Sequence, residues 1–277
     1  MKSESRRNRP SASAREQYIR RALAKSASVS ISHMAEELEV SEMTVRRDLA
    51  RMEMNTDVRR THGGAVVAER MVFEFNYLRR QRERWKEKAA IASAARALVQ
   101  AGQRIILDTG TTTLQLATRL KDLESLTVIT PSLAVASELQ FSENLHVILL
   151  GGVIHRGSPD LTGPVTEHSL DLFSADWVFQ GAEAVGEDGS IFNVDLQLAQ
   201  ADRKMRAKAA KRCLLADSSK FGQTALVKNG MLSDFDILVT DSGISPSHLR
   251  LARKLAGRVI ITSRDSGRQT PLKHKNQ

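Results

Sequence analysis

Short apolar runs alternate with helical patterns along the chain after Gly102, and this alternation most constrains the fold. Seven runs are predicted as strands: Arg104–Asp108, Thr127–Thr130, His146–Leu150, Trp177–Gln180, Cys213–Asp217, Ile237–Thr240 and Val259–Thr262. Helical patterns between most of them include Thr113–Leu120, Leu133–Leu139, Leu196–Arg212 and Pro246–Leu255. This alternation predicts an α/β domain with a mainly parallel sheet and helices on both faces, in which ligands bind beyond the carboxyl ends of the strands.

Polar loops follow several of these strands. The first strand leads into the run 109–113, Thr-Gly-Thr-Thr-Thr, whose amides, hydroxyls and helix dipole favour an anion such as phosphate. An ordinary capped strand–helix turn is the alternative for this loop taken alone. Lys220 could neutralise a phosphate and Asp108 could bond sugar hydroxyls. The residues expected at this ligand site are Asp108, Gly110, Thr111, Thr112, Thr113, Thr130, Ser132, Gly151, Gly152, Arg156, Gly181 and Lys220.

The charge of the chain is unevenly distributed. Its formal net charge is +9, and residues 1–90 hold 20 Lys/Arg against 13 Asp/Glu, whereas residues 91–277 hold 21 against 19. A basic front and a near-neutral body indicate a polyanionic partner for the front alone. A merely soluble, charged N-terminus is the alternative.

The front has the pattern of three short helices. Apolar spacing predicts a first helix from about Ala14 to Lys25, followed by a short strand candidate over residues 28–31. Ser32 is expected to cap the second helix. Ser41 has the N-cap position of a third helix that runs to about Met54. Two short helices joined by a tight turn form a helix-turn-helix.

The third helix divides into two faces. The face expected to pack against the first two helices consists of Val45, Leu49 and Met52. On the opposite face Thr44 and Arg47 are the expected base readers, since arginine can bond O6 and N7 of guanine. Arg46 and Arg51 are better placed for phosphates, which add affinity rather than sequence information. A solvated helix face that carries a few arginines is the alternative.

A basic turn follows the third helix. The runs 58–62 and 65–67 flank Gly63-Gly64, which can supply the positive φ of a hairpin turn. A basic helix followed by a basic hairpin predicts a winged helix that binds DNA. The residues expected to contact DNA are Ser41, Met43, Thr44, Arg46, Arg47, Arg51, Arg59, Arg60 and His62.

Spaced motifs in both parts of the chain resemble the DeoR family of bacterial transcriptional regulators. Those of the front are Val40-Ser41, T-V-R-R-D-L at Thr44 to Leu49, Glu53, and R-T-H-G-G-A at Arg60 to Ala65. Those of the body are D-T-G-T-T from Asp108, G-G-x-x-x-R from Gly151 and D-S-S-K-F-G from Asp217. The resemblance implies an effector domain similar in fold to ribose-5-phosphate isomerase. It also implies a repressor that senses a phosphorylated sugar or related metabolite and leaves its operator on binding it.

The chain departs from the family pattern at several positions. Residues 55–57, Asn-Thr-Asp, stand where the family usually has a glycine between the recognition helix and the wing. Pro131 stands where an asparagine commonly follows the threonine. Glu183-Ala184 replaces an acidic-glycine step, and Gln197 and Gln200 occupy a stretch that is often acidic. The changes in the body could reshape the effector pocket.

The predicted organisation is a disordered basic tail (1–13), a winged helix-turn-helix domain (14–70), a linker helix (71–100), an effector domain (101–265) and a disordered tail (266–277). The charged run 73–88 could instead form a second basic DNA surface. The single cysteine, Cys213, excludes an intramolecular disulfide and is expected to be a buried strand residue. The histidines have no metal-ligand spacing, and no cofactor is expected. No uncharged run approaches the ~20 residues of a membrane span, which predicts a cytoplasmic protein.

An enzyme is the competing hypothesis: a sugar-phosphate isomerase with a DNA-binding domain in front. Enolisation needs a base, and Asp108, Asp217 and Glu183 are available. No base is tied to a partner by spacing, however, and an isomerase has no use for the arginine helix and wing. We therefore predict a regulator rather than an enzyme, a dimer or tetramer that binds double-stranded operator DNA and a phosphorylated effector.

Overall fold

The computed structural model of the chain describes residues 10–25, 28–55, 58–60, 64–67, 77–155 and 157–263. The chain divides into two compact units, the first formed by residues 1–79 with 156–158 and the second by residues 80–155 with 159–277. Within the described ranges, no helix is both long enough and apolar enough to cross a bilayer.

The first unit combines three helices with a small antiparallel sheet. In chain order its elements are α1 (Ala12–Lys25), β1 (Ser28–Ser30), α2 (Ile31–Glu37), α3 (Glu42–Asn55), β2 (Val58–Arg60) and β3 (Gly64–Val67). Strand β3 lies between β1 and β2 and pairs antiparallel with both. The helix-turn-helix followed by a hairpin is the winged arrangement that the sequence predicts. The turn of the wing, residues 61–63, lies outside the described residues.

Two helices of the first unit begin earlier than the sequence pattern indicates. Helix α1 begins at Ala12, inside the interval 1–13 that was expected to be disordered. Ser30 caps α2, because its side chain accepts a main-chain N–H of the first turn, so the prediction that Ser32 is the cap is wrong. The reason is Ile31, which is buried in the core as the first helical residue. Burial of this side chain fixes where the helix starts.

The second unit contains most of the secondary structure. Its helices and strands are α4 (Trp85–Arg96), β4 (Arg104–Leu107), α5 (Thr111–Ala117), β5 (Leu126–Thr130), α6 (Leu133–Leu139), β6 (Leu145–Leu149), β7 (Val153–Ile154), β8 (Leu161–Thr162), α7 (Pro164–Asp171), β9 (Ala175–Gly181), β10 (Ala184–Val185), β11 (Ser190–Asn193), α8 (Leu196–Ala207), β12 (Ala209–Leu215), β13 (Val227–Met231), β14 (Ile237–Asp241), α9 (Pro246–Leu255) and β15 (Arg258–Thr262). Two 3-10 turns span Ser218–Lys220 and Leu232–Asp234.

A seven-stranded sheet organises this unit, in the order β15-β14-β12-β9-β4-β5-β6. Every neighbouring pair is parallel, and the seven strands are those predicted from the apolar runs. The α/β class is therefore confirmed. Because all seven strands run the same way, their carboxyl ends lie along one edge, which we call the carboxyl edge.

The predicted helix Leu196–Arg212 is too long at its C-terminal end. Helix α8 ends at Ala207, and β12 already begins at Ala209. Residues 209–212 are not helical because they belong to β12, which pairs parallel with β9 from Ala209 opposite Ala175. The small antiparallel pairs β7–β8 and β10–β11–β13 were not predicted from the sequence.

The interval 71–100, predicted as a linker helix, contains a core helix in its second half. Residues 77–82 are helical, Arg84 has a left-handed backbone conformation with φ of 51°, and α4 follows. Ile91, Ala92 and Ala95 of α4 are buried in the main core beside β4 and β12 residues. Helix α4 is thus part of the fold of the second unit.

Cys213 lies in β12 and is fully buried, as its apolar surroundings in the sequence predict. Burial raises the pKa of its thiol. A thiol that stays protonated in the core is a packing residue rather than a nucleophile.

Candidate DNA interface and effector site

Helix α3 presents its apolar face to the other helices of the first unit. Val45, Leu49 and Met52 are buried together with Ile19 of α1 and Met34 of α2. The predicted core face is confirmed. Burial of one face fixes the rotation of α3 and leaves its other face to solvent.

The opposite face of α3 is exposed. Met43 has 59% of its surface exposed, and Arg46, Arg47 and Arg51 are exposed as well. The Thr44 side chain is half-buried and its hydroxyl lies 2.9 Å from Ser41 Oγ. This face therefore offers three guanidinium groups and one large apolar side chain to a partner.

The three guanidinium groups differ in how they are held. Arg46 Nη2 lies 3.3 Å from the Glu42 carboxylate, one turn earlier on the same helix. Arg51 donates to Asp48 Oδ1 at 3.1 Å. Within the described part of the chain, the Arg47 guanidinium makes no hydrogen bond or ion pair. Of the three, Arg47 is the one whose donors are uncommitted.

Asp48 joins α1 to α3, a contact that sequence reasoning missed. Arg15 binds it in a bidentate manner, with Nε to Oδ2 at 2.6 Å and Nη2 to Oδ1 at 3.1 Å. Asp48 is 3% exposed. Two parallel charge-assisted bonds of this kind fix geometry as well as adding energy. Asp48 thereby helps to hold the orientation of α3.

The wing places Arg59 and Arg60 on β2, opposite Val66 and Ala65 of β3. This register locates both arginines within a paired strand next to α3 in sequence. His62 lies outside the described residues. The three positions stay predicted DNA contacts.

At the carboxyl edge the Asp108 carboxylate is buried and bonds to main-chain amides. Oδ1 accepts the Thr109 N–H at 2.6 Å and Oδ2 accepts the Gly181 N–H at 3.0 Å. These bonds tie the end of β4 to the end of the adjacent β9. Burial raises the pKa of Asp108 well above its usual value, and the charge of the nearby Asp202 raises it further. Asp108 thus shapes the loops at this edge.

The loop of residues 109–113 forms some of its side-chain hydrogen bonds within itself. Thr113 is fully buried and its hydroxyl donates to the Gly110 carbonyl at 2.9 Å. Thr111 is half-buried, and its hydroxyl lies 3.5 Å from the Arg80 carbonyl. Gly110 has φ of 119°, a conformation that favours glycine. The Thr112 side chain is buried and makes no hydrogen bond with the described residues.

The loop after β5 uses its polar side chains for capping. Thr130 Oγ1 accepts the Ser132 N–H at 3.1 Å, and Ser132 Oγ accepts the Val135 N–H at 3.4 Å to cap α6. Pro131 lacks a main-chain N–H, but the fold needs only its carbonyl, which accepts the Leu161 N–H at 2.8 Å. Both predicted side chains are at the carboxyl edge, and both are engaged with their own loop.

Gly151 and Gly152 follow β6 and pack closely on α7 and β8. A Cβ on Gly152 would lie 2.1 Å from Thr166 Oγ1 and 2.9 Å from the Thr162 carbonyl oxygen, and φ is 151°. The Thr166 hydroxyl also donates to the Gly151 carbonyl at 2.7 Å. Close packing is a sufficient reason for glycine here. Arg156 of the same motif lies outside the described residues.

The loop after β12 carries Lys220 at the end of a 3-10 turn. Asp217 precedes the turn and caps it through the Ser219 N–H at 3.0 Å. The side chain of Lys220 is half-buried and makes no hydrogen bond or ion pair with the described residues. Strand β12 is next to β9, which ends at Gly181, and β4 is the following strand. A lysine with uncommitted donors at this edge is suited to an anion.

Three further cations lie at this edge, Arg80, Arg84 and Lys88. The sequence does not predict them there, because the run 73–88 has the pattern of a linker helix or of a basic DNA surface. Arg84 Nε lies 2.8 Å from Asp217 Oδ1, and its Nη2 lies 3.2 Å from Asp241 Oδ2. Arg80 forms an ion pair with Glu183, one of the departures from the family pattern. Lys88 is 5% exposed. The excess of basic residues in the run 73–88 is the signal that could have indicated an anion.

A network around Asp202 of α8 was missed as well. Its Oδ2 accepts from Asn193 Nδ2 at 2.9 Å and from Asn229 Nδ2 at 2.5 Å. Burial raises the pKa of Asp202 to about 6, and the bond from Asn193 opposes this shift. Gln197, another departure, is exposed at the start of α8, and its Oε1 accepts from the Thr162 hydroxyl at 3.1 Å.

Comparisons with known proteins cover both units. The DeoR-like helix-turn-helix domain matches residues 15–71, and the DeoR C terminal sensor domain matches residues 83–242. The HTH-type transcriptional regulator YulB of Bacillus subtilis is 34% identical over 223 residues, which are 80% of this chain and 86% of that protein. The lactose phosphotransferase system repressor of Lactococcus lactis is 32% identical over 224 residues, 80% of this chain and 88% of that protein.

Among solved structures, the chain is similar to ribose 5-phosphate isomerase A of Methanocaldococcus jannaschii. The two are 20% identical with a TM-score of 0.37, over 48% of this chain and 53% of that one. The matched family and the similar curated proteins are regulators of transcription, not enzymes. With both of its units matched, this chain belongs to the DeoR family of DNA-binding transcriptional regulators.

Proposed function

We propose that this regulator represses a carbohydrate-catabolism operon and that a phosphorylated sugar or related metabolite releases it from the operator. The observation that supports the proposal most is that each unit has, at its candidate site, a cationic side chain without a hydrogen bond or ion pair among the described residues. Arg47 is exposed on α3 of the first unit, and Lys220 lies at the carboxyl edge of the second. The similar repressor of the lactose phosphotransferase system supports the link to sugars.

The DNA contacts that we propose follow the exposure of α3. Arg47 and Thr44 read base edges in the major groove, since the Arg47 donors have no partner among the described residues. Arg46 and Arg51 contact phosphates, with Ser41 and Met43 nearby on the same surface. The wing residues that we propose at adjacent phosphates are Arg59, Arg60 and His62.

The effector site that we propose lies at the carboxyl edge. Lys220 neutralises the phosphoryl group, and Thr111 and Thr112 donate hydroxyls. Asp108, Thr130 and Ser132 hold the loops in shape through the bonds described above. The remaining positions that we assign to this site are Gly110, Thr113, Gly151, Gly152, Arg156 and Gly181.

A dimer or tetramer in the cytoplasm is part of the proposal. Two copies of α3 bind repeated half-sites about one helical turn apart, as is general for helix-turn-helix dimers. Effector binding shifts the population towards a form that binds DNA weakly. The domain limits that we propose are 14–70 for DNA binding and 80–265 for the effector, because α4 packs in the core of the second unit and the limit of 101 expected from the sequence leaves it out.

The test uses the full-length protein and fragments of its own chromosome. Fragments retained by the protein are sequenced, and the tightest fragment is then challenged with sugar phosphates and with the same sugars lacking phosphate. We expect a fragment next to sugar-catabolism genes, released by at least one phosphorylated compound. Equal release by the unphosphorylated sugars, or none by any phosphorylated compound, would contradict the effector assignment.

A further inference from the structure

An apolar surface lies around the hairpin of β7 and β8. Both residues of β7 are exposed, Val153 by 67% and Ile154 by 62%. Consecutive residues of a strand point to opposite faces, so neither face of β7 is covered by the described residues. We give the name hairpin surface to six exposed aliphatic side chains, those of Leu149, Val153, Ile154, Val165, Val194 and Leu196.

The hairpin surface is continuous across several elements. Val165, at the start of α7, has its Cγ1 only 3.1 Å from the position that a Cβ of Gly151 would occupy, so it lies over the turn that leads into β7. Val153 is paired with Thr162 of β8, whose hydroxyl donates to Gln197 at the start of α8. The exposed side chains of β6, β7, α7 and α8 therefore adjoin one another.

Strand β7 also has an open edge. The His155 N–H donates to the Asp160 carbonyl at 2.7 Å, so the preceding pair, Ile154 and Leu161, is the non-hydrogen-bonded pair of the ladder. The main-chain N–H and carbonyl of Ile154 therefore point away from β8. Within the described part of the chain, β8 is the one strand that pairs with β7. An open edge of this kind is a template for a strand of another chain.

The chemistry of the hairpin surface suits a copy of itself. Its side chains are uncharged, and at its rim His155 Nε2 lies 3.8 Å from the Asp195 carboxylate. A two-fold interface brings the same residues of both copies together, so a charged surface would repel its copy, whereas an aliphatic one is self-complementary. Contiguous exposed apolar patches are typical of protein interaction sites.

The DNA-binding unit offers less apolar surface. Among the described residues from 10 to 67, the one exposed large hydrophobic side chain is Met43, on the face of α3 that we propose for DNA. A helix-turn-helix regulator that binds repeated half-sites needs two copies of α3. The apolar area for holding two copies together is therefore in the second unit.

We propose that a second copy of this chain docks on the hairpin surface, with the two β7 strands antiparallel about a two-fold axis near Ile154. The N–H and carbonyl of Ile154 exchange hydrogen bonds with the same groups of the second copy. The two hairpins then form one sheet of order β8-β7-β7-β8, in which β7 has no open edge. The inference rests on the proposed function, which requires two copies on one operator, and it names the surface that joins them.

The first test places a charge at the proposed axis. Full-length wild type, Ile154→Glu and Phe141→Glu are compared by analytical ultracentrifugation over a range of protein concentrations. Phe141 is the matched control, because it is 88% exposed and lies before the amino end of β6, outside the hairpin surface. Two carboxylates that meet at an apolar axis cost several kcal/mol, so Ile154→Glu should raise the Kd of the dimer at least about 100-fold. Phe141→Glu should associate as the wild type does.

The second test detects the contact directly. The single cysteine of the chain, Cys213, is fully buried, so Ile154→Cys adds an accessible thiol to a protein that has no other. Two thiols that face each other across paired strands are close enough to form a disulfide. Under mild oxidation full-length Ile154→Cys should form a covalent dimer that a reducing agent reverses, and Phe141→Cys should form none.

Two results would overturn the inference while leaving the dimer of the proposed function to another surface. One is a folded Ile154→Glu protein that associates as tightly as the wild type, and the other is an Ile154→Cys protein that cross-links no more than Phe141→Cys. If circular dichroism shows that Ile154→Glu is unfolded, the cross-linking decides alone. A wild type that stays monomeric at every concentration would overturn both the inference and the dimer, and would leave the hairpin surface to a different protein.

Discussion

The polar residues of α3 and those of the carboxyl edge are used in different ways. On α3 the guanidinium groups of Arg46, Arg47 and Arg51 are exposed, and Arg47 has no partner in the described part of the chain. At the carboxyl edge several hydroxyl and carboxylate groups accept main-chain N–H groups of this edge, as Asp108 and Thr130 do. A DNA surface can be built from solvated side chains because DNA brings its own charge. A small-molecule site needs loops of fixed shape, so most of its polar side chains hold those loops and few donors are left for the ligand.

The largest expected effect tests whether the glycines of the carboxyl edge serve packing. Gly152→Ala should destabilise the second unit by about 3–5 kcal/mol, from backbone strain together with the clash on the Thr166 hydroxyl. Gly163→Ala is the matched control: it has φ of 91° but nothing within 4 Å of the added Cβ, so only strain of about 1–3 kcal/mol applies. Urea unfolding measures both. Equal losses would mean that Gly152 is not there for packing.

The next effect concerns how α3 is held. Asp48→Ala should cost about 2–4 kcal/mol, because it leaves the Arg15 guanidinium without its bidentate partner. Arg46→Ala breaks only the exposed pair with Glu42 and should cost less than about 0.5 kcal/mol. Thermal unfolding followed by circular dichroism compares the two variants. Similar costs would show that the buried pair does not anchor α3.

The pH dependence of stability tests the buried carboxylates. The folded-state pKa of Asp202 is raised from 3.8 to about 6, so the folded protein retains this proton between those values and the unfolded chain releases it. Its contribution to stability is present below about pH 4 and is lost as the pH rises through 6. Asp202→Asn stays neutral at every pH, so its free energy of unfolding should lack this decrease. Between pH 4 and pH 7 the wild type should therefore lose about 2–3 kcal/mol more than the variant. Parallel pH profiles of wild type and variant in urea would show that Asp202 is not protonated in the fold.

The smallest effect concerns base reading. Arg47→Ala should cost about 1–3 kcal/mol at one base pair and relax the preference there. Arg51→Ala should weaken binding to all sequences alike and reduce its salt dependence. Competition between the captured fragment and single-base variants of it distinguishes these outcomes. If Arg47→Ala weakened binding to all of these fragments equally, Arg47 would contact a phosphate rather than a base.

Much of the fold could be predicted because its pattern is local. The seven strands of the main sheet are continuous apolar runs, since both faces of the sheet are covered. Helix α7 escaped prediction because Thr166 and Leu170 are its buried residues, too few for an apolar period. Strands β7, β8 and β10 have two residues each, which is too short for any pattern.

The site was less predictable, because its contacts are distant in sequence. The exposed face of α3 follows from helical spacing alone. Asp48 and Arg15, by contrast, are 33 positions apart, and Arg84 meets Ser218 across 134 positions. Lys88 looked like one charge in a basic run because only the folded chain brings it to Lys220.

The central claim is that DNA binding and effector response reside in different units. The measurement that tests it most directly is release of the captured DNA fragment, titrated with the phosphorylated compound that releases the wild type. Lys220→Ala should bind the fragment with wild-type affinity and need at least about tenfold more effector for release. Loss of DNA binding in a Lys220→Ala protein that remains folded would contradict the account.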